Sequence, residues 1–170
     1  KLGLNYDNVY KVNKTIIYCS ISGFGQYGKY KNRKAYDSII QAITGVMSVT
    51  GEPDRPPVRS GLMIGDLAGS LYALSSIVVS LYAREKTGYG NYIDLSLSDA
   101  LLSLYSTNAA EYLANGTIPR RNGGENPNRH PSGNYKCADG KYIQILAGTQ
   151  NLWINFCKAI DCEYFINDKR

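Results

Sequence analysis

Gly65-Asp66-Leu67-Ala68-Gly69-Ser70-Leu71-Tyr72-Ala73-Leu74-Ser75-Ser76-Ile77-Val78-Val79-Ser80-Leu81-Tyr82-Ala83 is the most apolar run of the chain. A little further on, Lys86-Thr87-Gly88 leads into Tyr92-Ile93-Asp94-Leu95-Ser96-Leu97. The first run is too long for a strand, and Leu67, Leu71, Leu74, Val78 and Leu81 recur at helical spacing. Ala73, Ile77 and Val79 fill the other faces, so the helix is expected to be covered by other elements. Basic Lys86 shortly before Gly88 is what a helix C-terminus prefers. The alternation from Tyr92 to Leu97 then predicts a strand.

Working outward, Ile16 to Ser20 is a short β-branched run that stops at Gly23-Phe24-Gly25, which suits a buried parallel strand. A glycine- and lysine-rich loop follows. Asp37 opens a helix carrying Ile39, Ile40, Ile43, Val46 and Met47 at helical spacing. Pro53, Pro56 and Pro57 exclude regular helix between Thr50 and Leu62. On the other side, Ser98 or Asp99 caps a helix running to Asn115-Gly116. Strand, helix, helix, strand, helix in this order predicts an α/β layer fold with some parallel pairing.

Thr117 to Asn134 is rich in Asn, Gly, Pro and Arg and is too long for a domain interior, so a boundary belongs there. The predicted organisation is a large α/β domain over 1–116, a linker over 117–133 and the start of a small α+β domain over 134–170. Within the last part, Asp139-Gly140 is the turn pair of a hairpin between Asn134–Cys137 and Lys141–Leu146. A helix from about Gln150 to Ile160 is expected to turn Leu152, Trp153, Phe156 and Cys157 inward.

The chain has 170 residues, 44% hydrophobic and 19% charged, with a net charge of +5. That is a globular composition. The basic residues are scattered apart from Lys29-Tyr30-Lys31-Asn32-Arg33-Lys34, and no nucleic-acid-binding signature accompanies them. A basic cluster on a loop is usually a solvated surface, and its best functional reading is a site for a phosphorylated ligand. The four cysteines include no Cys-x-x-Cys pair, and there is one histidine. This argues against zinc and against a disulfide framework, and for a reduced, cytoplasmic protein. Four serines interrupt the long apolar run, so a buried helix is expected and not a membrane span. The chain opens on Lys1 in what reads as mid-element sequence, as a piece of a longer polypeptide would.

No P-loop or Gly-x-Ser-x-Gly elbow is present. Gly23-Phe24-Gly25 with Gly28 departs from the dinucleotide fingerprint. His130 sits in the polar connector, where a solvated role is expected. Carboxylates are the remaining reactive groups. Asp37, Asp66 and Asp99 each stand at a helix start, where aspartate is a common cap worth about 1 kcal/mol. Asp66 differs because Gly65, Ala68, Gly69 and Ser70 would let a ligand approach closely. A helix N-terminus also favours an ionised carboxylate and offers N–H groups to developing negative charge. On the residues alone, cap and nucleophile both stand.

Taken together, Ile17 to Gln26, Tyr36-Asp37 with Gln41 to Met47, and Thr50-Gly51-Glu52-Pro53 with Pro56-Pro57-Val58 resemble the class III (CaiB/BaiF-type) coenzyme A transferases. So do Gly65-Asp66-Leu67-Ala68-Gly69, Arg84 to Gly90 and Ile93 to Ala100, and the likeness continues into Ala138-Asp139-Gly140 and Trp153. The resemblance implies a Rossmann-like large domain joined by linkers to a small domain, in an interlocked homodimer. It implies that Asp66 attacks an acyl-CoA thioester, giving a mixed anhydride and then an aspartyl-CoA thioester that passes CoA to an acceptor carboxylic acid. Acyl-CoA is then a substrate, with no metal and no tightly bound cofactor. The segment Lys34-Ala35-Tyr36-Asp37 falls where a family member contacts CoA, with Lys34 toward the phosphates and Tyr36 near the thioester. Lys1 falls at a CoA-contacting arginine; the exchange keeps charge and loses bidentate geometry. Racemases of the same fold carry a histidine at the position of Tyr36, and a phenol of pKa near 10 is a poor proton carrier at neutral pH. That favours transferase over acyl-CoA racemase, with a non-catalytic scaffold as the other alternative. The resemblance also puts two walls of the site outside the chain, so 1–170 alone is expected not to turn over.

Overall fold

In a computed structural model the structure describes residues 2–168. They form two compact units, residues 2–49 with 57–119 and residues 50–56 with 120–168.

The first unit is a mixed α/β layer. Helix α1 spans Tyr6–Val12 and is capped by Asn5, whose side chain accepts from the Asn8 N–H. Strand β1 (Ile17–Ser22) pairs in parallel with β2 (Asn91–Ser96), in the register Ile17↔Asn91 to Ser22↔Ser96. Parallel pairing demands a crossover, which is supplied by α2 (Asp37–Ile43), a short 3-10 helix (Val46–Val49) and α3 (Ile64–Thr87). After β2 come α4 (Leu97–Ser103) and α5 (Ser106–Asn115). The single helix expected there is broken at Leu104–Tyr105, whose N–H groups turn back to Leu101 and Leu102 in tight three-residue bonds. Its cap is Ser96, not Ser98 or Asp99. The helix expected to run on from Asp37 to Met47 stops at Thr44, because Gly45 takes φ +85°.

Ile40, Val46 and Leu101 form the core of this unit, with Phe24, Ala35, Ile64, Leu97 and Tyr105 packed on it. Helix α3 does not contribute its leucines. Its buried residues are Gly65, Ala68, Gly69, Ala73 and Ser80, whereas Leu71 is 66% and Leu74 60% exposed. Leu67, Val78 and Leu81 are exposed as well, so the expected apolar stripe is not the packed face. Small residues win because the neighbouring helices and strands come too close for large ones. A Cβ on Gly69 would collide with Leu97 Cδ2. By length and composition alone α3 could cross a membrane; here its small-residue face packs on β1, β2, α2 and α4.

The second unit holds the antiparallel pair β3 (Ser132–Lys136) and β4 (Tyr142–Leu146), joined through Asp139-Gly140. Helix α6 (Gln150–Ala159) follows, with Thr149 accepting from the Leu152 N–H. Cys157 is its buried residue, Trp153 and Phe156 are half-buried, and Leu152, expected inward, is exposed. The connector read as a linker is partly built into this unit. Arg121 donates to the carbonyls of Glu52 (3.1 Å) and Pro53 (3.3 Å), and Gly123 N–H to Gly51 (3.0 Å). These bonds satisfy backbone that would otherwise need water.

Candidate active site

Asp66 is the third residue of α3, in its first turn, and its side chain is exposed. The N-cap, Met63, has no side chain able to accept. The orphan amides of the first turn find their acceptor on another helix: Asp37 Oδ1 takes the N–H of Gly65 at 2.8 Å and of Asp66 at 3.4 Å. Gly65 must be small for this, since a Cβ there would stand 3.0 Å from Asp37 Oδ1 and 3.3 Å from Ile40 Cγ2. Asp66 therefore does not cap its helix; Asp37 does that from α2. The two N–H groups expected to meet developing negative charge are already engaged by a carboxylate.

Asp37 is itself 6% exposed. It is the first residue of α2, after Tyr36 as N-cap, so it is not its own helix's cap either. Its other oxygen accepts from Gln41 Nε2 at 2.6 Å. Gln41, fully buried, also donates to the Leu62 carbonyl (3.1 Å) and accepts from the Ser60 N–H (2.9 Å). In the sequence Gln41 stands only as one member of the Gln41 to Met47 motif. The available signal was a polar pair at i, i+4 in an otherwise isoleucine-rich helix.

The remaining positions expected to bind CoA divide by exposure. Lys34 and Tyr36 are exposed, Tyr36 to 83%. Ala35 packs on the core and stands under Gly23, where a Cβ would lie 2.9 Å from that of Ala35. The Asp37 carboxylate is consumed by Gly65, Asp66 and Gln41, so it supports the site and does not face a ligand. Lys1 lies outside the described residues. Asp37 adjoins Tyr36 and bonds the Asp66 amide, so the end of the basic loop and Asp66 are brought together. In that loop the Arg33 guanidinium sits 5.6 Å from the Tyr30 ring centroid and 6.0 Å from that of Phe24. Asp94 ties down the loop's start, accepting the Gln26 N–H at 2.8 Å. His130 is exposed in the second unit. Among the described residues no cluster of His, Cys, Asp or Glu could hold a metal ion.

The first unit thus presents an exposed carboxylate on a helix start braced by a buried partner, near the end of the basic loop. The chain belongs to CoA-transferase family III, whose profile matches residues 1–170. It is 37% identical over its whole length to an acetyl-CoA:oxalate CoA-transferase of Acetobacter aceti, of which it covers 44%. It is 34% identical to a succinate–glutarate CoA-transferase of Agrobacterium fabrum, covering all of this chain and 42% of that one. A CaiB/BaiF family protein from Brucella suis superposes with a TM-score of 0.85 at 36% identity, over 99% of this chain and 44% of the other. The chain thus spans under half the length of these relatives.

Proposed function

We propose that this protein transfers coenzyme A from an acyl-CoA to a carboxylic acid, with Asp66 as the nucleophile. An Asp66 oxygen attacks the thioester carbonyl carbon; the C–S bond breaks and CoA thiolate leaves, giving a mixed anhydride. The thiolate attacks the aspartyl carbonyl and expels the donor's carboxylate, leaving an aspartyl-CoA thioester. The acceptor carboxylate then attacks that thioester, thiolate leaves again, and its attack on the acceptor's acyl carbon restores Asp66. Carboxylate and thiolate exchange charge throughout, so no proton must be moved. The observation that carries this reading is the exposure of Asp66 beside Tyr36-Asp37 in a family whose named relatives are CoA-transferases.

Lys34 meets the CoA phosphates and Tyr36 lines the thioester end. The acceptor is a short dicarboxylic acid: relatives are named for oxalate, glutarate and D-citramalate, each a dicarboxylate. The racemase alternative asks for a second acid–base group where Tyr36 stands. The protein works as a cytoplasmic, interlocked homodimer, which size-exclusion chromatography with light scattering tests.

The decisive experiment incubates the protein with acetyl-CoA or succinyl-CoA, reduces with borohydride and maps the modified peptide by mass spectrometry. Modification at Asp66, lost in Asp66→Asn, is the expected result. An Asp66→Asn variant that still exchanges CoA would end this reading.

A further inference from the structure

The segment that delivers Asp66 reaches the apolar core through Ile64. Ser60 to Met63 follow a proline-rich connection without regular structure, Leu62 is 65% exposed, and Asp66 itself faces outward. Beyond that apolar contact, a pair of buried polar side chains one turn apart on α2 grips its main chain. Four main-chain groups of residues 60–66 bond to them: Ser60 N–H and Leu62 C=O to Gln41, Gly65 N–H and Asp66 N–H to Asp37. Gln41 links the two halves through its 2.6 Å bond to Asp37 Oδ2.

Only an amide fits at Gln41. One end must donate twice, to a carboxylate and a carbonyl, while the other accepts from an N–H. Turning the amide over would set Oε1 against Asp37 Oδ2 and the Leu62 oxygen, with Nε2 facing the Ser60 N–H, so the bonding fixes its orientation. Glutamate of the same shape would place two carboxylates in contact and leave the Leu62 carbonyl without its donor. Methionine would fill the space and donate nothing.

We propose that Gln41 is a positioning residue for the acylation of Asp66, setting the aim of the carboxylate through Asp37 and the 60–66 segment. The inference rests on the reading of Asp66 as nucleophile. It requires that loss of the Gln41 amide slow the covalent step while leaving CoA binding, which uses the exposed loop, in place.

The test compares Gln41→Glu and Gln41→Met with the parent protein for folding by circular dichroism, acetyl-CoA affinity, and the single-turnover rate of Asp66 modification. Both variants are expected to bind acetyl-CoA within about twofold of the parent and to acylate on the order of tenfold to a hundredfold more slowly, the scale of a small misplacement of a reacting group. Gln41→Glu is expected to regain rate relative to the parent as pH falls, because a protonated glutamate donates again to Asp37; Gln41→Met is not. Parental acylation rates in a folded Gln41→Glu at neutral pH would overturn the proposal, as would a loss that is independent of pH in both variants. If neither variant folds, amide exchange on the parent decides: slow exchange of the Gln41 side-chain NH2 and of the Gly65 N–H supports the proposal, and fast exchange of either overturns it. Asp66→Asn separates the two readings. If it is inert while Gln41 variants are fully active, only the positioning role fails; if it is active, the nucleophile assignment fails.

Discussion

The backbone N–H of Gly65 lies 2.8 Å from Asp37 Oδ1, so the start of α3 hangs on a carboxylate from α2. A side chain at residue 65 would enter that bond, its Cβ only 3.0 Å from the oxygen. Gly65→Ala is therefore expected to cost about 1–3 kcal/mol through overpacking and the weakened buried bond. Gly61, four residues earlier, has open space around it, and Gly61→Ala should stay within about 0.5 kcal/mol of the parent. Urea unfolding of the two variants checks the contrast; equal midpoints would remove the Asp37–Gly65 bond from the account.

A second contact of this kind sits one turn on. Gly69 faces Leu97, the first residue of α4, so closely that a Cβ would strike Leu97 Cδ2, with Leu95 Cδ2 at 3.5 Å. Gly69→Ala should destabilise by about 1–3 kcal/mol. Because the obstruction is a side chain and not backbone, Leu97→Ala in the same molecule should make the Gly69→Ala step cheaper. A double-mutant cycle measures the coupling, and simple additivity would contradict the packing described.

Much of the architecture was legible because it is written in local chemistry. Gly88 ends α3 at φ +75°, Asp139-Gly140 turns the hairpin, and the apolar runs at β1 and β2 mark the parallel pair. Family membership was legible in the ordered motifs. The face of α3 was not. Hydrophobic spacing picks out the stripe from Leu67 to Leu81, whereas the packed face is set by the close approach of α2, α4 and the strands, which the small residues Gly65, Ala68, Gly69, Ala73 and Ser80 tolerate. Asp37 misled for a related reason: an aspartate at a helix start looks like that helix's own cap, and its true acceptor role is to Gly65, 28 residues away. Helix α1 was missed, although Asn5, three residues before Asn8, carries an N-cap pattern.

The exposed stripe has its own consequence. Leu71 touches solvent over 66% of its surface, while Ala73, two residues on, is 5% exposed. In the chain of residues 1–170, Leu71→Lys should change stability by no more than about 0.5 kcal/mol and reduce self-association through the apolar face. Ala73→Leu should cost about 1–3 kcal/mol by overpacking. Thermal unfolding and sedimentation velocity read the two effects. A large loss of stability in Leu71→Lys would mean that the leucine stripe is packed after all.

In the second unit, Cys157 is fully buried at the last turn of α6, while Cys137 and Cys162 are partly accessible. Burial pushes the Cys157 thiol above its ordinary value of 9.0, with nearby Cys162 adding to the effect. The folded unit thus holds this proton more tightly than the unfolded chain does. Its contribution to stability is whole below the ordinary thiol pKa and is lost as pH rises through the raised folded value. Timed alkylation with iodoacetamide at mildly alkaline pH, read by peptide mass, should label Cys137 and Cys162 well before Cys157, since the thiolate is the reactive form. The urea midpoint should fall as pH climbs past the ordinary thiol range, and Cys157→Ala should flatten part of that slope while lowering stability at neutral pH through the cavity it leaves. Labelling of Cys157 at the pace of Cys162 in the folded protein would show that α6 does not seal this thiol.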